Sequence, residues 1–170
     1  EGVISPEHSV LGWDKTPQPY DVWNQDQTLT SAMQNSVNWY FQDLDSQSGI
    51  VVLNSYYRRL SYGNCDLSGG VNGYWAESSL KISPVEQVNL LAGLLKNQWD
   101  FDPENIQAVK DSLFLTEFSG GRLYGKTGTG EADGQNVNGW FVGFLETEGH
   151  TYCFAANLRD GSHADGGTAA

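Results

Sequence analysis

The hydrophobic period of this chain changes once, and that change constrains the fold more than any other feature. Up to about residue 115 the apolar positions recur at three and four residues. Leu29, Ala32, Met33, Val37, Tyr40, Phe41 and Leu44 predict one long helix over Leu29 to Asp45, with Gly49 as its stop. Ile50 to Leu60 reads as a second helix. Ser83-Pro84-Val85-Glu86 combines a capping serine, a first-turn proline and a capping-box glutamate, and opens a helix to about Asn97. Asp102-Pro103-Glu104 opens another, to about Leu115. From Arg122 the pattern alternates. Arg122 to Thr127, Asn138 to Glu146 and Thr151 to Leu158 read as three strands. Glu148-Gly149 suits a tight hairpin between the last two, and Gly130 to Asn138 reads as a longer polar connection. A helical region followed by a three-stranded antiparallel sheet is an α+β fold.

The remaining segments are irregular. Glu1 to Gln27 carries Pro6, Pro17 and Pro19, with Trp13, Tyr20 and Trp23 to pin it to a core. Tyr62 to Gly73 is a loop with four glycines and two asparagines in twelve residues. Glu1-Gly2-Val3 resembles a helix tail with its C-cap glycine, and Asp165 to Ala170 the first turn of a helix, so both ends look cut inside an element. At 170 residues, 39% hydrophobic and 12% aromatic, residues 1–170 are read as a single domain with a core.

The net charge is −12. That excludes nucleic acid, whose phosphates need clustered Lys and Arg, and disfavours an anionic membrane surface. No apolar run reaches the roughly 18 residues of a membrane span. No secretory signal is present, so a localisation signal is absent or lies outside these residues. Cys65 and Cys153 are too few for a disulfide framework and read as two buried thiols. His8, His150 and His163 are scattered and pair with no cysteine at ligand spacing, so no metal site and no cofactor is expected.

Three short segments carry chemistry. Ser36-Val37-Asn38 lies in the first predicted helix, Tyr62-Gly63-Asn64 opens the loop, and Lys126-Thr127-Gly128 lies on the first strand, inside Tyr124-Gly-Lys-Thr-Gly-Thr-Gly130. A lysine, a hydroxyl and a glycine in a row on a strand suit a small anionic substrate held against a strand edge. Each segment also has a bland alternative. Ser36 would simply face solvent or bond back to a carbonyl, Tyr62 to Asn64 would brace the loop, and Trp75 would be core. Trp140 and Phe141 read as core and cleft wall.

With these motifs the chain resembles the penicillin-recognising serine proteins, and within them the class D β-lactamases and the β-lactam sensor domains of penicillinase-inducing receptors. The resemblance covers nearly the whole chain: Leu11-Gly-Trp-Asp14, Trp23 to Leu29, Ala32-Met33, Tyr62-Gly-Asn64, Trp75, Ser79 to Pro84, Glu86-Gln87, Lys126-Thr-Gly128 and Gly139 to Gly143 fall in the family's order. It implies an incomplete β-lactamase/transpeptidase-like fold in which a serine opens the β-lactam ring and forms an acyl-enzyme. Ser36 then relays a proton to the departing ring nitrogen. Lys126 supplies positive charge beside Ser36. Thr127 and Thr129 offer hydroxyls to the substrate carboxylate, the Thr129 amide forms half of an oxyanion hole, and Gly128 leaves the edge bare. Trp75 matches a tryptophan that packs on the family's active-site lysine and bonds its carbamate.

Two departures follow from the same resemblance. The Ser-x-x-Lys nucleophile segment would lie upstream of Glu1, the fit at Ser78-Ser79-Leu80-Lys81 being a decoy ahead of the Ser83 cap. The family's N-terminal strands and final covering helix are also expected outside the chain. Asn38 stands where hydrolases usually carry an apolar residue that keeps a carbamylated lysine dry. The receptors carry Asn there, often followed by Trp-Tyr-Phe, as in Trp39-Tyr40-Phe41. Arg159 does not align with the carboxylate-binding arginine of some class D enzymes. The resemblance therefore implies a fragment of a β-lactam sensor whose parent is acylated by β-lactams and deacylates slowly, while this chain by itself forms no adduct. The alternatives are a class D hydrolase fragment, whose parent carries its carbamylated lysine outside this chain, and an inert fragment needing the missing segments to fold. The expected location is extracytoplasmic, the expected partners are β-lactams, and self-association or complementation is expected of the isolated chain.

Overall fold

A computed structural model describes residues 2–159 and 164–170. Six α-helices are described: α1 (Leu29–Gln34), α2 (Asn38–Ser48), α3 (Ile50–Leu60), α4 (Pro84–Leu95), α5 (Pro103–Ser112) and α6 (Gly166–Ala169). The strands are β1 (Phe114–Phe118), β2 (Gly121–Ala132), β3 (Gln135–Thr147) and β4 (His150–Arg159). They form one antiparallel sheet in the order β1-β2-β3-β4. The fold is α+β, but the sheet has four strands where three were expected. β1 escapes a periodicity argument because all five of its residues are exposed and its pairing slips between Phe114 and Thr116. An edge strand with no buried face has no reason to alternate.

A second correction concerns the helix predicted over Leu29 to Asp45, which is two helices. α1 starts on a capping box between Thr28 and Ser31 and ends in a Schellman motif. The Ser36 amide bonds Met33 O at 3.3 Å, and the Val37 amide reaches back to Ala32 O at 2.9 Å. Ser36 takes the left-handed position of that motif, with φ 53°, where glycine is usual. Val37 and Ala32 are fully buried across the turn, so the apolar period runs through the break and disguises it.

The third correction is at Gly130 to Asn138, which is a continuation of the hairpin rather than a long connection. β2 runs to Ala132 and β3 starts at Gln135. The two-residue turn between them, Asp133-Gly134, has φ of 52° and 73°, the type I′ geometry that Asp-Gly favours. The ladder shifts once, between Gly130 and Glu131.

Other expectations hold. Ser83 and Glu86 form the capping box, with the Ser83 amide on Glu86 Oε2 at 2.8 Å and the Glu86 amide on Ser83 Oγ at 3.3 Å. Gly149 turns β3 into β4 with φ 78°. Asp165 caps α6 through the Thr168 amide. Gly2 and Val3 are irregular, and Glu1 and His163 lie outside the described residues. Cys65 and Cys153 are free but half-buried, not buried.

The helical core gathers Trp23, Ala32, Val37 and Tyr40, with Ile4, Leu11 and Leu29 packed against it. Indole N–H groups tie this layer together: Trp23 donates to Asn35 O and Trp39 to Trp23 O, both at 2.9 Å. On the sheet, Tyr124 stacks on Phe144 at 4.5 Å between centroids. Lys110 of α5 pairs with Glu146 of β3 at 2.7 Å. The α1–α2 turn meets the middle of β2, where Lys126 reaches Ser36.

Candidate functional site

Ser36 and Lys126 meet, although 90 residues separate them in sequence. Lys126 Nζ donates to Ser36 Oγ at 2.5 Å and to Thr127 O at 2.6 Å. The lysine can reach the serine because β1 stops short. β1 pairs only with Gly121 to Tyr124, and Gly125 N closes that edge on Leu113 O at 2.8 Å. From Lys126 onward β1 leaves the outer edge of β2 unpaired. Beside it lies a groove of about 600 Å³ lined by Met33, Phe114, Leu123, Lys126 and Phe141. Burial in this apolar setting pushes the Lys126 pKa below the ordinary lysine value of 10.5. The amine can therefore exchange a proton with Ser36 Oγ more readily than a solvated lysine, and its charged form attracts an anion to the groove.

The rest of the strand motif is held from the opposite face. Thr129 Oγ1 accepts from the Gly166 amide at 3.0 Å, which leaves its proton to donate. Gly166 lies so close that a Cβ there would sit 2.9 Å from the Gly128 N and O and from Thr127 Cβ. Gly128 is different: a Cβ on it would make only an ordinary 3.7 Å contact with Trp140 Cβ. Packing in the described residues does not require glycine there, and the missing side chain leaves the strand edge open.

Asn38 is the exposed first residue of α2, two beyond Ser36, with the buried Val37 anchoring both. Trp75 turns elsewhere. Its Nε1 donates to Asp45 Oδ2 on α2 at 3.2 Å, the same oxygen that accepts from Tyr74 OH at 2.9 Å. Tyr74 OH in turn lies 3.0 Å from Tyr57 OH. The sequence reading missed Asp45; its position four residues after Phe41, on the apolar face of α2, was the available signal. Burial raises the Asp45 pKa despite the hydrogen bonds from Tyr74 and Trp75, which lower it.

A folded-state pKa above the unfolded value of 3.8 makes this aspartate's contribution greatest in acid and loses it as pH rises through the folded value. Asp45→Asn keeps an acceptor for Tyr74 and Trp75. Its stability relative to the parent is expected to grow as pH rises above 3.8 and then level off. Urea midpoints measured across pH 3 to 8 check this; a difference independent of pH refutes it.

Tyr62-Gly63-Asn64 is a brace in the loop. Asn64 Nδ2 donates to Ser79 O at 2.8 Å, and Asn64 Oδ1 accepts from the Lys81 amide at 2.9 Å. Tyr62 packs edge-on against Tyr57, and burial raises its pKa. None of these bonds reaches Lys126. Of the Ser78 to Lys81 segment, Ser78 is in a non-helical bend, and Lys81 pairs with Glu77 at 3.7 Å. Arg159 bonds Asn157 Oδ1 at 3.0 Å at the exposed end of β4, two strands from β2. Among the described residues no group of three His, Cys, Asp or Glu could hold a metal ion, and no helix is long and apolar enough to cross a membrane.

The chain and its fold have known relatives. The family model described as penicillin binding protein transpeptidase domain matches residues 1–170. The regulatory protein BlaR1 of Bacillus licheniformis is 46% identical over 169 residues, 99% of this chain and 28% of that protein. The solved C-terminal domain of the Bacillus licheniformis BlaR penicillin-receptor superposes with a TM-score of 0.92 at 45% identity, covering 98% of this chain and 68% of that one. The class D β-lactamase from Bacillus subtilis superposes with a TM-score of 0.86 at 41% identity, covering 94% and 65%. The chain thus spans little more than a quarter of the full-length regulatory relative.

Proposed function

Because this chain belongs to the penicillin binding protein transpeptidase domain family, we propose that it forms most of an extracytoplasmic domain that binds β-lactams covalently and holds them as a signal. The observation that supports this best is the contact between Ser36 Oγ and Lys126 Nζ beside the unpaired edge of β2. In this reading a serine attacks the lactam carbonyl, the ring C–N bond breaks, and the serine's proton passes to the departing nitrogen. Ser36 is the relay for that proton and Lys126 its exchange partner. The Thr129 amide receives the carbonyl oxygen as it gains charge. Thr127 and Thr129 hydroxyls hold the substrate carboxylate, and Gly128 lets the ligand lie along the strand.

The attacking serine belongs to a Ser-x-x-Lys segment outside these 170 residues. The non-helical bend at Ser78 and the contact of Lys81 with Glu77 support a nucleophile elsewhere than Ser78. Slow release of the adduct rests on Asn38, which puts an exposed amide two residues from Ser36 where class D hydrolases usually carry an apolar residue. Hydrolysis is the second reading, supported by the 41% identity to the Bacillus subtilis class D enzyme.

The test is to expose the full-length protein to a fluorescent penicillin and, separately, to a chromogenic cephalosporin. One persistent label per molecule with about one turnover is expected. Many turnovers per molecule would move the assignment to hydrolase, and no labelling would overturn both readings. The 170 residues by themselves are expected to show no mass shift with penicillin; a stable adduct would relocate the nucleophile to this chain.

A further inference from the structure

Glu77 joins the loop that carries Trp75 to the far end of the site strand. Its Oε1 accepts from Asn138 Nδ2 at 2.6 Å, and its Oε2 lies 3.7 Å from Lys81 Nζ. Asn138 is buried on β3 and accepts in turn from Asn157 Nδ2 of β4 at 2.6 Å. The register partner of Asn138 on β2 is Gly130, and Glu77 covers that glycine. A Cβ on Gly130 would lie 2.1 Å from Glu77 Oε1 and 2.5 Å from its Cγ and Cδ. The ladder slips immediately beyond this point, between Gly130 and Glu131. Glu77 itself is held at φ 47°, a conformation that non-glycine residues adopt only where their surroundings enforce it.

These contacts converge on one place. Tyr74 and Trp75 bind α2 through Asp45, and two residues later Glu77 binds the sheet through Asn138. The four-residue strap Tyr74–Glu77 therefore bridges the helical layer that carries Ser36 and the strand that carries Lys126 to Thr129. We propose that Glu77 is a positioning residue for the site: acting through Asn138 and Gly130, it fixes the end of the regular β2–β3 ladder and so sets where the Thr129 amide and the Lys126 amine stand relative to Ser36. Glu77 touches neither Lys126 nor Ser36 in any bond described above, and its effect is transmitted along β2 backbone, one residue from Gly130 to Thr129 and four to Lys126. Its hydrogen bond to Asn138 carries the function, and its exposed contact with Lys81 adds little.

The activity readout rests on the β-lactam-binding reading, so the experiment on the full-length protein pairs it with one that does not. Glu77→Ala is expected to slow acylation by fluorescent penicillin about 10- to 100-fold, as small misplacements of reacting groups do. Glu77→Gln, which keeps the acceptor for Asn138, is expected to stay within about twofold of the parent. Gly130→Ala is expected to match Glu77→Ala, and the double variant to be no slower than either single one, because both remove the same contact. Hydrogen exchange read by mass spectrometry is expected to quicken across Lys126 to Ala132 in Glu77→Ala and not in Glu77→Gln. Parental acylation or parental exchange in Glu77→Ala overturns the proposal, as does a Gln variant as slow as the Ala variant or an additive double variant. If the parent takes no label, the β-lactam reading fails, and the exchange pattern alone decides the role of Glu77.

Discussion

Lys126→Ala is expected to lower the rate of β-lactam acylation by about 10²- to 10⁴-fold, the range associated with loss of a positioned proton-transfer group, while the protein stays folded. The side chain lies beside an apolar groove and its bonds go to Ser36 Oγ and Thr127 O. Truncation removes no core packing, but it strips Ser36 of its proton partner and the groove of its positive charge. Two effects are then separable. Lys126→Arg keeps the charge but supplies no group that deprotonates, so it is expected to restore ligand capture at low concentration and not the saturating rate. In the parent, acylation is expected to rise with pH along a limb whose midpoint falls below the ordinary lysine value of 10.5, because burial favours the neutral amine. Rapid-mixing kinetics with a fluorescent penicillin measure all three. An Ala variant within threefold of the parent, or an Arg variant with the full rate, would remove Lys126 from the proton path.

Gly63→Ala is expected to act on the fold and not on the chemistry. Gly63 has φ +50°, and a Cβ there would lie 1.9 Å from Lys81 O and 2.8 Å from its carbonyl carbon. Backbone cannot swing aside as a side-chain end can, and the same segment is tied twice, by Asn64 N on Lys81 O at 3.0 Å and by Lys81 N on Asn64 Oδ1 at 2.9 Å. A loss of about 3 kcal/mol or more follows, among the larger single-residue effects and a large share of the stability of an ordinary domain. Urea unfolding of the full-length protein measures it. The molecules that remain folded are expected to acylate at the parental rate, since the bonds of Tyr62 to Asn64 reach Tyr57, Ser79 and Lys81 and not Ser36 or Lys126. Parental stability would refute the steric argument. A fully folded Gly63→Ala protein that fails to acylate would return the motif to the catalytic machinery.

What could be seen in the sequence was whatever a local pattern encodes. The caps at Ser83 and Asp102, the α3 span, the Glu148-Gly149 hairpin and the helical-to-alternating change all rest on neighbours in the chain, and the structure keeps them. β1 was hidden because an exposed edge has no buried face to imprint a period. The α1–α2 break was hidden because a Schellman turn keeps Ala32 and Val37 in phase with both helices. Asp133-Gly134 was a readable hairpin signal, obscured by the polar residues around it. At the site, Ser36 and Lys126 were legible as motif partners, and the structure brings them into contact. Asp45 gave only a weak signal, a carboxylate on the apolar face of α2, and Glu77 gave none, because a single acidic residue in a strongly acidic chain says little until its partners on other elements are known. Trp75 was named, but its hydrogen bond to Asp45 is a tertiary choice that its flanking residues do not dictate.

The left-handed backbone of Ser36 sets stability and chemistry against each other at one residue. The turn between α1 and α2 suits glycine or asparagine best, and a serine there is held at a conformational cost. Either of those residues would relax the turn, and either would delete the hydroxyl that Lys126 contacts. Improvement of the fold at this position therefore runs directly into loss of the relay. A search that ranks variants by thermal tolerance alone will be drawn toward changes at Ser36, and will discard the working site while appearing to improve the protein.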